Sequence, residues 1–316
     1  MSRLIMLLTG GVGGAKLALG LYGLVPEGAL SLIVNTGDDF DHLGLRICPD
    51  LDTALYTLCG CANPELGWGR TNESWSFMKA LAELGGENWF RLGDGDLALH
   101  VLRTQRLAAG ERLSDVTAAF VRALSVQAAL HPMSDDAVAT MVDSDEGALG
   151  FQDYFVRRRC EPRVRGLSFR GAERARLGEG ARAALTAPEL AAIVIAPSNP
   201  YLSIDPILAV PGVRDALVAA KAPVIAVTPI IAGQAVKGPT AKIMAELGLE
   251  PSPLAVAQHY DGLIDGFVLD ARDATLEAQF SVPIAVTDTL MQSVQDKQRV
   301  ARAVLDFAEQ LAGRGR

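Results

Sequence analysis

The stretch that decides the fold is Arg3-Leu4-Ile5-Met6-Leu7-Leu8-Thr9, followed at once by Gly10-Gly11-Val12-Gly13-Gly14-Ala15-Lys16. Residues 3–9 carry one charge and read as a buried strand. From Ala15 to Leu24, the residues Leu17, Leu21 and Leu24 fall on one face of a helix. Leu30-Ser31-Leu32-Ile33-Val34-Asn35 then reads as a second strand. Strand, glycine turn, helix and strand make a βαβ unit. No small-residue cleavage pattern precedes the glycines, so the first run reads as a strand and not as a signal peptide.

The same rhythm returns after residue 191. Runs at 191–196, 223–228, 266–270 and 282–287 are short, rich in Val and Ile, and apolar on both faces. Parallel strands buried between helix layers have that character. Residues 51–130 differ: Leu51-Leu55-Leu58 and Phe77-Leu81-Leu84 recur at helical spacing. The division expected is an α/β core over 1–50 and 131–316, interrupted by a mostly helical insertion over 51–130. Residues 151–191 are rich in arginine, including Arg157, Arg158, Arg159, Arg163 and Arg165. They read as a solvated connector, with one or two arginines as candidates to face a phosphate.

Composition excludes several classes. The chain has 316 residues, 49% hydrophobic and 21% charged, enough to bury a large core. With 29 Lys+Arg against 37 Asp+Glu the net charge is −8, which argues against a nucleic-acid partner. Aromatic residues make up 6%, too few to offer many stacking platforms for single strands. No apolar run approaches the about 18 residues of a membrane span. Cys48, Cys59, Cys61 and Cys160 form no C-x-x-C pair and read as reduced thiols of a cytoplasmic protein. His42, His100, His131 and His259 are scattered and form no H-E-x-x-H zinc motif.

The glycine loop carries the strongest chemical signal. Gly11-x-Gly13-x-x-Lys16 has lysine where a dinucleotide fingerprint has its third glycine, and no Gly-Lys-Ser/Thr is present. Gly10, Gly11, Gly13 and Gly14 nonetheless let the backbone approach a phosphate at a helix N-terminus, and Lys16 adds a positive charge. Asn35-Thr36-Gly37-Asp38-Asp39 ends the second strand, either as a solvated turn or as a metal or substrate contact. Asp50 and Asp52 in Cys48-Pro49-Asp50-Leu51-Asp52-Thr53 either cap a helix or hold one hard cation. Asp94/Asp96 and Asp135/Asp136 are further acidic pairs. Several such pairs beside a glycine loop suggest phosphate chemistry with magnesium. Arg91 is a candidate anion or acceptor contact. Ser198 and Asn199, between prolines after a strand, suit a nucleobase or ribose, and Val236-Lys237-Gly238-Pro239 is a weaker phosphate-facing candidate. No G-x-S-x-G elbow or nucleophile–histidine pair stands out, so direct displacement fits better than a covalent intermediate.

Taken together, these stretches resemble the 2-phospho-L-lactate transferase / phosphoenolpyruvate transferase family of coenzyme F-420 biosynthesis. Besides the motifs above, Gly67-Trp68-Gly69, Phe151-Gln152-Asp153-Tyr154-Phe155 and Thr287-Asp288-Thr289-Leu290-Met291 follow in family order. Asn72-Glu73-Ser74-Trp75 departs slightly from the usual Asn-Glu-Thr-Trp. The resemblance implies a Rossmann-like, mostly parallel sheet with a small helical insertion. It implies that a guanosine diphosphate ester of a three-carbon acid donates its outer phosphoryl group, with the acid attached, to the ribityl hydroxyl of a deazaflavin. GMP leaves, and magnesium (Mg2+) is required. By resemblance the glycine loop, Lys16, Ser198 and Asn199 are the nucleotide site, and Asp50 and Arg91 face the acceptor. Asp38, Asp50 and Asp52 are the metal ligands, Asp50 the general base, and a homodimer is expected. A nucleotide-sugar-binding regulator of the same superfamily is the alternative; the Pro49–Thr53 and Phe151–Phe155 stretches favour the transferase.

Overall fold

The computed structural model describes residues 3–64, 68–236 and 238–313. Seven strands form its main sheet: β1 (Leu4–Thr9), β2 (Leu30–Val34), β3 (Ala129–Pro132), β4 (Leu190–Ile195), β5 (Val224–Val227), β6 (Gly266–Asp270) and β7 (Ile284–Thr287). Their spatial order is β7-β6-β5-β4-β1-β2-β3, and every neighbouring pair is parallel. The chain therefore winds outward from β1 through β2 to β3, then returns to β4 beside β1 and winds the other way. That is the doubly wound Rossmann arrangement, with its reversal between β1 and β4.

The apolar runs explain why the sheet is buried on both sides. In β1, Ile5 and Leu7 enter one core, with Leu17 and Leu21 of α1 (Gly11–Tyr22) and Val300 and Val304 of the helix Val294–Ala312. Met6 and Leu8 enter the other, with Tyr154, Ile204 and Tyr260. Each fully buried Leu or Ile of these faces contributes about 1.5–3 kcal/mol of transfer free energy.

Between β2 and β3 lie α2 (Pro49–Leu58), α3 (Ser76–Glu83), α4 (Asp94–Ala108) and α5 (Leu113–Ala123). Proline at the first turn starts α2, where its missing N–H costs no hydrogen bond. Leu51, Leu55 and Leu58 of α2 and Leu113 and Val121 of α5 join the core that holds α1. Ile47, Met78 and Leu92 form a separate small cluster, extended by Phe40, Leu45, Trp75 and Phe90. The short antiparallel hairpin of Phe40–His42 and Leu45–Ile47 packs with this cluster.

The arginine-rich stretch is more than a connector. Val164–Arg170 is the outer strand of a three-stranded antiparallel sheet with Ala139–Ser144 and Gly147–Gly150. Its first residue, Val164, is buried while Arg165 and Arg170 are exposed, and Ala181 and Leu185 nearby enter the main core. Arginines on the solvent side dominate the composition and hide the strand.

Gly20 sets the spacing of α1 against Val294–Ala312. A Cβ there would run into the Lys297 carbonyl and lie 3.2 Å from the Ala301 Cβ. Gly20→Ala is expected to cost about 1–3 kcal/mol by overpacking, read as a lower denaturation midpoint. A midpoint equal to wild type would contradict this account of the packing.

Candidate functional site

In a doubly wound sheet, ligands bind outside the carboxyl ends of the strands where the winding reverses. Here that position is the crevice between the ends of β1 and β4, and it opens into a cavity of about 450 Å³. Gly10, Gly11, Gly13, Lys16, Asp38, Asp50, Asp52, Arg91, Ser198 and Asn199 all line it. Gly14 does not; a Cβ at that position would meet the hydroxyls of Thr9 and Ser198.

The loop needs its glycines for the protein's own packing. A Cβ on Gly10 would stand 2.5 Å from Asp50 Oδ2, one on Gly13 2.5 Å from the Pro197 carbonyl oxygen, and Gly11 has φ +65°. The tight fit exists because Asp50 reaches across from the first turn of α2. Gly11 N–H donates to its Oδ1 at 2.7 Å, and Asn35 Nδ2 donates to its Oδ2 at 3.0 Å. Asn35 Oδ1 in turn accepts from Gly37 N–H at 2.8 Å. Ends of β1 and β2 and the start of α2 are thus joined through one carboxylate.

Ser198 closes the other side of the loop. Its hydroxyl accepts from Gly10 N–H at 3.3 Å and donates to the Gly10 carbonyl at 2.7 Å, so it serves the loop itself. Asn199 Oδ1 accepts from the backbone of Tyr201 and Leu202, leaving its Nδ2 buried with no hydrogen-bond partner. Lys16 Nζ donates to the Met291 carbonyl at 2.7 Å. That carbonyl belongs to a loop held by Asp270, whose Oδ2 accepts from Thr289 N–H at 2.7 Å and from the Thr289 hydroxyl at 2.8 Å. Lys237 and Gly67 lie outside the described residues.

The acidic pairs divide by task. Asp94 accepts from the backbone N–H groups of Ser76 and Phe77, and so caps α3. Asp135 accepts from Ser114 N–H and hydroxyl at the start of α5, and Asp136 from Arg176 N–H. These three are structural, so the acidic pairs as a set do not speak for a metal. Asp52 pairs with Arg103 through both carboxylate oxygens, its side chain 8% and the arginine's 3% exposed. Burial works against the Arg103 charge, but Asp52 holds the guanidinium protonated beyond its ordinary range.

Of the three carboxylates expected to hold a metal, Asp38 and Asp50 have no cationic partner. Asp38 Oδ1 is buried and has no hydrogen-bond partner. Burial, and then the charge of Asp50, pushes the Asp38 carboxyl well above its usual range. Burial pushes Asp50 up to about 6, with the bonds from Asn35 and Gly11 pulling the other way. An orphaned Asp38 oxygen and the lone pairs left on Asp50, beside the glycine loop, fit a hard cation that takes one or two carboxylates plus substrate phosphates. Among the described residues no group of three or more His, Cys, Asp or Glu could by itself hold a metal ion.

Aromatic side chains line the cavity beyond the carboxylates. Phe151 and Phe155 stack at 5.3 Å between centroids, and Phe90 and Trp68 lie on the insertion side. The Arg91 guanidinium sits 4.2 Å from the centre of the Trp75 ring. Tyr56 was not singled out from the sequence; Asn35 was read only within the Asn35–Asp39 stretch and Asp96 only as half of an acidic pair, and neither they nor His100, four residues on along the same helix, were assigned a role.

Over residues 5–304 the chain matches the family described as 2-phospho-L-lactate transferase CofD. The chain belongs to the CofD family. A phosphoenolpyruvate transferase from Streptomyces griseus subsp. griseus is 40% identical over 321 residues, covering 97% of this chain and 99% of the relative. Another, from Kitasatospora aureofaciens, is 42% identical over 318 residues, covering 97% and 98%. A 2-phospho-L-lactate transferase from Methanosarcina mazei is 37% identical over 304 residues, covering 95% and 99%. The solved structure of a UPF0052 family member from Bacillus halodurans shares the fold, with a TM-score of 0.63 at 14% identity over 96% of this chain and 99% of that one. The chain is therefore a CofD family transferase of coenzyme F-420 biosynthesis, and no helix among its described residues is long and apolar enough to cross a membrane.

Arg103→Met would leave Asp52 buried and unpaired, and is expected to cost about 3–5 kcal/mol of stability. Adding Asp52→Asn should recover part of that loss in a double-mutant cycle read by denaturant unfolding. Strict additivity of the two substitutions would contradict the pairing.

Proposed function

We propose that this CofD-family protein transfers a phospho-three-carbon-acid group, phospholactyl or phosphoenolpyruvyl, from its guanosine diphosphate ester to a deazaflavin. The acceptor is the terminal ribityl hydroxyl of 7,8-didemethyl-8-hydroxy-5-deazariboflavin. A P–O bond forms to the ribityl oxygen, the P–O bond to GMP breaks, and the hydroxyl proton goes to a base. The relatives are named as phosphoenolpyruvate and 2-phospho-L-lactate transferases, which supports both groups as candidates.

One observation carries the reading: Asp50 is clamped between the glycine loop and Asn35 while lining the cavity beside Asp38. In phosphoryl transfer a protein mostly positions reactants and neutralises charge. The N-terminus of α1 and Lys16 favour the donor's diphosphate. The free Asn199 amide offers donors for the guanosine part. Stacked Phe151 and Phe155, with Phe90, give the flat deazaflavin rings an apolar slot, and Arg91 balances charge at its mouth. Asp38 and Asp50 would hold magnesium, which when bound polarises phosphate oxygens and offsets their charge. Asp52 is spent on Arg103 and is left out of that set. A carboxylate has about four lone-pair sites, so Asp50 can keep its two clamping bonds and still accept the hydroxyl proton.

The direct test incubates the protein with magnesium, the deazaflavin and each of the lactate, enolpyruvate and glycerate donors, and weighs the product by mass spectrometry. Transfer from at least one donor with release of GMP is expected; no product from any would overturn the proposal. Asp50→Asn keeps an acceptor for Gly11 N–H but sets an amide N–H against the Asn35 amide, so its melting should fall somewhat below wild type. Its turnover should fall by about 10²–10⁴-fold. Near wild-type turnover would remove Asp50 as the base.

A further inference from the structure

Besides Asp52 and Arg103, the face between α2 and α4 holds a second polar group that opens to the cavity. Asp96 and His100 project from α4 toward Tyr56 of α2, and all three line the cavity. The Tyr56 hydroxyl donates to Asp96 Oδ1 at 2.5 Å. Arg103 Nη1 lies 3.3 Å from His100 Nδ1. A guanidinium has only donors, so Nδ1 must accept, and the imidazole proton sits on Nε2. That Nε2 is buried without a hydrogen-bond partner in a residue 1% exposed, although Asp96 Oδ2 lies only 3.2 Å away. The two groups are close but not aligned with each other.

An N–H donor and a carboxylate acceptor set side by side complement one chemical group, an alcohol, which accepts from the first and donates to the second. Asp96 Oδ1 already joins α4 to α2 through Tyr56, as Arg103 does through Asp52, which leaves Asp96 Oδ2 and His100 Nε2 over. Tyr56 follows Asp50 by six residues, roughly 9 Å along the helix axis. The pair is thus displaced along the cavity from the carboxylate that faces the reacting hydroxyl.

We propose that Asp96 Oδ2 and His100 Nε2 form a polyol subsite that binds an inner hydroxyl of the acceptor's ribityl chain and so selects polyhydroxylated side chains over plain alkyl alcohols. This rests on the proposed transfer to a ribityl acceptor. The subsite fixes how far the chain enters, and thereby delivers the terminal hydroxyl to Asp50. A buried polar pair left unmatched by a bare methylene chain carries the penalty that gives hydroxyl-reading sites their discrimination.

The test compares two deazaflavin acceptors, the natural ribityl compound and one carrying a 5-hydroxypentyl chain, which keeps the terminal hydroxyl and lacks the inner ones. Wild type should prefer the ribityl acceptor by about 10- to 100-fold in kcat/KM. His100→Leu should bring the ratio close to one, chiefly by losing activity on the ribityl acceptor. His100→Gln, which can place an amide N–H near the Nε2 position, should restore part of it. Equal kcat/KM for both acceptors with wild type, or an unchanged ratio in His100→Leu, would overturn the subsite and leave the transferase reading standing. If His100→Leu fails to fold, the wild-type comparison still decides. Absence of transfer to either acceptor would overturn the transferase reading and the subsite with it.

Discussion

The site depends on a single carboxylate that two neighbouring backbone segments share. Asp50 takes the first free N–H of α1 at Gly11 and the amide of Asn35 at the end of β2. A negative group at a helix N-terminus is favourable by about 0.3–1 kcal/mol when exposed, and by more when partly buried. The larger consequence is geometric. Gly10 must lack a side chain because Asp50 stands where its Cβ would be, and Gly13 must lack one because the Pro197 carbonyl does the same from the β4 side. The crevice between β1 and β4 is held at one width by contacts that leave no room for adjustment.

That arrangement carries an electrostatic cost. Asp38 and Asp50 are both buried, and the charge of Asp50 raises the cost of charging Asp38. Asp52, on the same turn of α2, escapes the conflict through Arg103. The remaining two face a cavity in which an anionic donor would add still more negative charge. A divalent cation shared between them and the donor's phosphates would relieve both problems at once, and the Asp38 oxygen left without a hydrogen bond suits such a cation. The formal charge of −8 is therefore no obstacle to a polyanionic substrate.

Much of this could be read from the sequence, for reasons that are local. The strand–glycine–helix–strand opening fixed the winding, and both-sided apolar runs marked β4, β5, β6 and β7. Most of the predicted residues that line the cavity sit at the end of a strand or at the first turn of α2; Lys16, inside α1, and Arg91, before α4, do not. What escaped depends on distant partners. Asp94, Asp135 and Asp136 resemble Asp50 by type, but each has a helix start or loop N–H waiting for it. Ser198 looks like a ligand contact until Gly10 is seen holding its hydroxyl. The grouping of Asp96, His100 and Arg103 on one buried helix face was not legible, since its burial depends on the partners Tyr56 and Asp52 from α2. Val164–Arg170 was masked by arginines on its solvent side.

The central claim is that the crevice between β1 and β4 binds a guanosine phosphate with a divalent cation on Asp38 and Asp50. A crystal grown with GDP and manganese in place of magnesium tests it most directly, because manganese gives an anomalous signal of its own. The account predicts one strong anomalous peak in contact with the Asp38 and Asp50 carboxylates and the diphosphate, with the guanosine reaching toward Asn199. A nucleotide bound outside this crevice, or manganese held by other carboxylates, would contradict it.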